Sequence, residues 1–277
     1  MLYLNVHTSK NTRETEVPES WNELSGDQLR EIAALLMQEA DKTGMDVRLC
    51  AVLTGLSARE LQQVGAGQIA ETLLPLTQWV HEGNTLTRQL LPALQTQEGS
   101  FYGPADYLQN LRCGEFEFAE RALWEWQNDT ANDEKLWRFV ATLYRPAKPG
   151  YDFEKDPDGD CRMAFNANAT GFYAKILQRD CQHADALAVM LFYTGCRLWM
   201  AARYEAVFGG GGGEGNGEDN DAPPSLFQLM RAVAKTGTYG DFESVVNMYL
   251  YTLLAEVVAA MEEAERLQDE MKNMQAV

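Results

Sequence analysis

The chain has 277 residues, of which 45% are hydrophobic, and its 41 acidic and 23 basic residues give a formal net charge of -18. This length and apolar content suffice for a buried core, which excludes disorder over most of the chain. The negative charge repels a phosphate backbone, so nucleic-acid binding is disfavoured, and it keeps the protein soluble.

Targeting and redox features predict a cytoplasmic protein. Residues 1–10 lack the basic and apolar regions of a signal peptide. The most apolar stretch, residues 186–196, is shorter than the ~20 residues that cross a bilayer, so no membrane segment is expected. The odd number of cysteines and the lack of CxxC spacing argue against a disulfide framework and favour a reducing compartment. The cysteines are Cys50, Cys113, Cys161, Cys181 and Cys196.

The N-terminal residues 1–24 have the pattern of an extended segment. Leu2, Leu4 and Val6 alternate with polar or aromatic residues, which predicts a short strand or hairpin that ends before Pro18. Ser25 and Gln28 then have capping-box spacing and open the first helix.

Helical patterns dominate the rest of the chain. A second capping box, at Ser57 and Glu60, opens a short helix, and Pro75 should kink or break the helix around it. Residues 83–103 lose helical periodicity and are predicted to be a loop, with a short extended piece at 86–91. Further helices are predicted at about 46–54, 68–80, 115–127, 133–144, 171–179, 184–208, 225–235 and from Asp241 to near the end.

These patterns predict an all-α or nearly all-α fold, a multi-helix bundle with a short N-terminal β-element and a long C-terminal helix. Residues 25–208 form the predicted main domain. Residues 209–224 are rich in glycine and acids, which predicts a flexible linker. Residues 225–277 form the predicted C-terminal helical segment.

No motif predicts catalysis, a cofactor or a metal. The segment 156–160 resembles the start of a calcium loop, but Cys161 and Ala167 occupy the positions that need glycine and glutamate. An acidic, solvated loop is the simpler interpretation. The spacing of Cys161, Cys181, His183 and Cys196 matches no zinc module. None of the three histidines stands beside a nucleophile in a recognised pattern, so the prediction is a protein that is not an enzyme.

The strongest periodic signal lies in the final helix, where apolar residues follow a 4,3,4,3 spacing from Val246 to Met274. The half before Ala260 has the broad apolar face of a bundle helix, whereas the half after it is a narrow stripe flanked by charges. This second half predicts a partner-binding surface, used for a protein partner or for self-association. Its residues are Ala260, Ala264, Leu267, Met271 and Met274.

Several stretches resemble proteins from phage and prophage tail-gene clusters, especially those of Bacteroidetes, some of which look like tail-assembly chaperones. The stretches are VPESWNEL at 17–24, YGPADYL at 102–108, GEF at 114–116, LYRP at 143–146, FYTGCR at 192–197 and YGD at 239–241. The resemblance implies a phage assembly factor that binds a helical client such as a tape-measure protein. It also leaves open a structural virion component, such as a connector or tail-completion protein. An acidic mimic of nucleic acid is a third alternative, disfavoured because acids and bases are interleaved along most helices.

Overall fold

The computed structural model describes residues 2–7, 12–38, 42–156, 159–208 and 226–275. Most of them are helical. The strands are β1 (Leu2–His7), β2 (Thr12–Val17), β3 (Ala93–Thr96), β4 (Gly99–Tyr102) and β5 (Arg145–Pro146). The α-helices are α1 (Gly26–Leu36), α2 (Lys42–Thr54), α3 (Ala58–Leu61), α4 (Ala66–Gln68), α5 (Gln78–His81), α6 (Cys113–Gln127), α7 (Asp133–Leu143), α8 (Ala167–Asp180), α9 (His183–Arg203), α10 (Glu205–Phe208), α11 (Phe227–Thr236), α12 (Phe242–Val246) and α13 (Leu250–Gln275). Among the described helices, none combines the length and the apolar character needed to span a membrane.

The chain divides into two compact units that are discontinuous in sequence. Unit 1 comprises Met1–Pro92 and Cys181–Leu198, and unit 2 comprises Ala93–Asp180 and Trp199–Val277. The predicted ranges 1–24, 25–208, 209–224 and 225–277 are contiguous and describe a different partition. The predicted linker at 209–224 lies outside the described residues.

Unit 1 begins with the predicted hairpin, which is confirmed. Strands β1 and β2 pair antiparallel, with Leu2 opposite Val17 and His7 opposite Thr12. The side chain of Val6 is buried in a cluster with apolar residues from the helices that follow, so burial selects one face of the strand. That cluster contains Cys50, Leu56, Leu61, Val64 and Leu73.

Local helix signals in unit 1 are also confirmed. The backbone N–H of Gln28 donates to Ser25 Oγ over 3.2 Å, and the N–H of Ser25 donates to Gln28 Oε1 over 2.9 Å. The helix predicted around Pro75 is broken. It passes from α4 through a π-helix (Ile69–Leu73) and a 3-10 helix (Leu74–Thr77) to α5, because proline cannot donate a backbone hydrogen bond.

The prediction of a loop at 83–103 with an extended piece at 86–91 is wrong in its second half, where unit 2 has two strands. Strands β3 and β4 form a hairpin, and β4 also pairs antiparallel with β5. Each strand of the hairpin buries a single side chain, Leu94 or Phe101, which is too short an alternation to detect in the sequence. The fold is therefore mostly helical but contains a small three-stranded sheet and is not purely all-α.

The start of the C-terminal helix is a second correction, because α13 begins at Leu250 and not at Asp241. Asp241 does cap a helix, since its carboxylate accepts the N–H of Ser244 over 2.9 Å, but this helix is the short α12. The chain leaves helical geometry after α12 because its backbone pairs with the residues around the start of α6. Cys113 N–H donates to the Met248 carbonyl over 3.0 Å, and Leu250 N–H donates to the Leu111 carbonyl over 2.9 Å.

Candidate functional site

The side chains of helix α13 change from buried to exposed along its length. Leu250, Leu253 and Leu254 are fully buried, and Val257 is 9% exposed. Within unit 2 the helix contacts α6, α10 and α11. From Ala259 onward, every side chain that the structure describes is exposed. The helix is therefore anchored at one end and presents its other half to the surroundings.

The five predicted partner-binding residues lie on this exposed half. They recur at intervals of three and four residues, which places them on one face of the helix, and they extend over about 21 Å at 1.5 Å per residue. Leu267, Met271 and Met274 are 46%, 52% and 72% exposed. We call the face formed by Ala260, Ala264, Leu267, Met271 and Met274 the distal stripe.

Charged residues border the distal stripe on one side. Glu263 and Glu270 each precede a stripe residue by one position, and both lie in reach of Arg266, at 3.3 and 4.0 Å. All three side chains are more than 60% exposed, so these ion pairs contribute little to stability. On the other side, Met261 and Gln268 follow the stripe residues and carry no charge.

Aromatic side chains hold the buried end of α13. The Tyr251 hydroxyl donates to the Tyr107 carbonyl over 2.5 Å, at a point where Tyr107 has a φ of 56°. Non-glycine residues rarely adopt this left-handed conformation. The Trp199 ring lies 4.8 Å from the ring of Tyr107 and 6.3 Å from that of Tyr251, measured between centroids. The hydrogen bond and the ring contacts anchor the buried end of α13 within unit 2.

A buried ion-pair cluster in unit 2 was not identified from the sequence. Glu115 accepts a hydrogen bond from Arg145 Nη2, and its second oxygen lies 3.8 Å from Arg162 Nη2. Arg162 also donates to Asp160 from Nε over 2.8 Å and from Nη2 over 3.0 Å. The side chains of Glu115, Arg145 and Arg162 are each at most 3% exposed. Two acids and two bases are thus paired, and of the four only Asp160, whose side chain is 19% exposed, remains partly accessible to water.

Both guanidinium groups also donate hydrogen bonds to backbone carbonyls. Arg145 donates to Met163 over 2.7 Å and to Thr142 over 2.5 Å, while Arg162 donates to Leu143 over 3.0 Å. Buried charges are tolerated when such bonds replace water. The cluster consequently ties the end of α7 and the segment around Met163 to the start of α6.

Arg145, Arg162 and Asp160 are charged at neutral pH. Burial lowers the pKa of Arg145 to about 10 against the opposing charge of Glu115, which still leaves the side chain protonated. Burial also disfavours the charged form of Arg162, but the hydrogen bond to Asp160 and the negative charges of Glu115 and Asp160 together outweigh it and raise the pKa of Arg162. Burial opposes ionisation of Asp160, yet hydrogen bonds from Arg162 prevail and lower the pKa of Asp160.

A cavity of about 520 Å³ adjoins the cluster, and Arg112 and Lys148 also line it. The Arg112 guanidinium lies 3.7 Å above the Tyr249 ring and donates to the Asn247 carbonyl over 2.9 Å. Lys148 Nζ donates to the Asp160 carbonyl over 2.6 Å. The protein itself therefore engages both of these cations.

Buried cysteines and the acidic segment 156–160 are further candidates for reactive or metal-binding groups. Burial raises the pKa of Cys113 to about 12 and that of Cys50 to about 11, so both thiols are protonated at neutral pH and are weak nucleophiles. Within the described ranges, no group of three histidine, cysteine or acidic side chains could hold a metal ion. In the segment 156–160, Asp160 is bound to Arg162, and residues 157 and 158 lie outside the described residues.

Sequence reasoning missed the ion-pair cluster because its members are far apart in the chain. One signal was present: Glu115 stands directly before Phe116 on the buried face of α6, where a charge needs a partner. Nothing in the sequence identified Arg145 as that partner.

Comparison with protein-family models, with curated proteins and with solved structures gives no match to this chain.

Proposed function

We propose that this protein is a non-enzymatic phage assembly factor, similar to tail-assembly chaperones, that binds an amphipathic helix of a client such as a tape-measure protein. The observation that supports the proposal is the distal stripe, a row of exposed apolar side chains on a helix whose other end is buried. The resemblance of the sequence patches to phage tail-cluster proteins supplies the biological setting. The proposed place of action is the cytoplasm of the bacterial host.

The stripe has the properties that reversible helix binding requires. Ala260 and Ala264 allow close approach of a second helix, and the flexible side chains of Met271 and Met274 adapt to irregular partners. Complete burial of Leu267, Met271 and Met274 would contribute roughly 1–2 kcal/mol each, because 46%, 52% and 72% of these residues are still exposed. Such a surface supports binding that can later be released, as an assembly chaperone needs. The net charge of -18 keeps the complex soluble.

Co-expression with the tape-measure protein from the same gene cluster tests the proposal. The full chain should co-purify with this client, and Leu267→Asp or Met271→Asp should abolish co-purification, because each introduces a charge into the apolar contact. Asn273→Asp adds the same charge away from the stripe and should retain binding. Light scattering after size exclusion should show an unchanged mass, and circular dichroism an unchanged helix content, for all three variants. Equal client recovery with all three variants would refute the proposal.

Analysis of purified phage particles separates an assembly factor from a structural virion component. An assembly factor leaves before the particle is complete, so mass spectrometry of particles should detect no stoichiometric amount of this chain. A fixed number of copies in every particle would favour the connector or tail-completion alternative.

A further inference from the structure

We infer that the distal stripe selects a partner helix that carries basic residues beside its own apolar stripe. This inference rests on the proposed function, and it adds the charge pattern by which a client is recognised. The observation that carries it is the difference between the two borders of the stripe.

One border of the stripe is acidic. Glu263 and Glu270 are seven residues apart and directly precede Ala264 and Met271, so they occupy the position beside the apolar face where charges of paired helices meet. Their side chains are 65% and 61% exposed. On the opposite border, Met261 and Gln268 are neutral.

The charges within the helix do not neutralise this border. Arg266 is the nearest cation, but it is shared between Glu263 at 3.3 Å and Glu270 at 4.0 Å, and its side chain is 66% exposed. Lys272 pairs with Asp269 on another face, at 3.4 Å. Residues 260–275 contain five acidic and two basic residues, so the exposed half of the helix carries a charge of -3.

A second copy of the chain matches this pattern poorly. Antiparallel pairing of two copies would place the acidic border against itself, and parallel pairing would place it opposite neutral Gln268. Both arrangements bring two segments of charge -3 together without a compensating cation. A helix with lysine or arginine beside its apolar stripe removes the repulsion and adds attraction. The charge pattern therefore favours a basic client over self-association.

Synthetic heptad peptides test the inference with the full chain. Three four-heptad peptides carry leucine at both core positions and either lysine, glutamine or glutamate at the two flanking positions, each with a fluorescent label. Fluorescence anisotropy at physiological ionic strength should show the lysine peptide binding about tenfold or more tightly than the glutamate peptide, since two border contacts change sign. The difference should shrink at high salt.

Charge reversal at the border separates local recognition from the overall charge of the chain. Glu263→Lys combined with Glu270→Lys should invert the preference between the lysine and glutamate peptides. The matched control, Glu262→Lys with Asp269→Lys, changes the net charge equally on the opposite face and should keep the original preference. Equal effects of the two double variants, or no preference in the parent chain, would overturn the inference.

Two further results distinguish this inference from the proposed function. If all three peptides bind equally and Leu267→Asp abolishes binding, the stripe binds helices and only the inferred preference for basic partners (the charge rule) fails. If no peptide binds and the chain forms a stable dimer that Leu267→Asp dissociates, both the charge rule and the client-binding proposal fail.

Discussion

Glu115 and Arg145, 30 positions apart in sequence, form a salt bridge in which the two side chains are only 2% and 3% exposed. Removing both charges from water is costly, and the mutual attraction and backbone hydrogen bonds offset that cost only while both partners are present. The pair thus makes unit 2 sensitive to changes that remove one of the charges.

Glu115→Gln should lower the free energy of unfolding by about 3–5 kcal/mol, because it leaves Arg145 and Arg162 buried with Asp160 as their remaining acidic partner. Urea denaturation followed by circular dichroism measures the change. Asp129→Asn makes the same change in charge in the exposed pair with Lys135, at 2.9 Å, and should cost less than about 1 kcal/mol. Similar losses for the two variants would show that the buried pair is not a special determinant of stability.

The Asp160–Arg162 pair should make the free energy of unfolding decrease as the pH falls into the acid range. Burial opposes ionisation of Asp160, but hydrogen bonds from Arg162 hold its pKa below 3.8 in the folded state. As the pH falls, the unfolded chain takes up this proton first. The stabilisation is therefore complete above about pH 5 and is lost as the pH falls through the folded-state pKa.

Asp160→Asn should lower stability at pH 7 and also flatten the loss of stability in acid. The measurement is the urea midpoint of both proteins between neutral pH and about pH 3. Asp129→Asn serves as the reference, because its carboxylate is exposed. If the urea midpoint of Asp160→Asn falls with decreasing pH as steeply as that of the parent chain, the pH dependence arises from other groups.

The features that were predicted correctly depend on residues close together in the sequence. The capping boxes at Ser25 and Ser57 need only the glutamine or glutamate three positions later, and both are present in the structure. The N-terminal hairpin joins two adjacent segments. In each case the signal and the structure lie within about 15 residues, so a local pattern is enough.

The features that were missed depend on distant partners. Strand β5 exists because Arg145 and Pro146 pair with β4, more than 40 positions earlier, and a two-residue strand has no periodicity to detect. The break between α12 and α13 arises where Met248 and Leu250 pair with residues around the start of α6. The spacing of the distal stripe belongs to a single helix, so a local pattern is enough to propose this candidate site.

Gly195 and Gly171 should respond in opposite ways to alanine substitution. A Cβ on Gly195 would lie 2.2 Å from the Leu86 carbonyl oxygen and 2.9 Å from the Leu86 nitrogen, and backbone atoms cannot easily move away. Gly195→Ala should therefore destabilise the protein by about 3 kcal/mol or more. A Cβ on Gly171, within α8, would meet no atom within 4 Å.

Gly171→Ala should stabilise the protein by about 0.5–1 kcal/mol, because alanine restricts the unfolded chain and favours helix. Thermal unfolding of both variants gives the comparison. A stable Gly195→Ala protein would show that α9 can shift away from Leu86 at little cost.

Truncation after Ala259 tests whether the distal half of α13 is a binding surface or part of the core. The change removes the entire distal stripe, and every described side chain that it removes is exposed. The melting temperature of the remaining protein should stay within about 2 °C of the parent value, because no buried apolar area is lost.

Leu253→Asp is the contrasting variant: Leu253 is fully buried in the first turn of the helix, so a charge there should cost several kcal/mol. Client co-purification should be lost in the truncated protein although its circular dichroism still shows a folded helical protein. A fall in melting temperature as large as that of Leu253→Asp would place the stripe in the protein's own core and remove the basis for a partner surface.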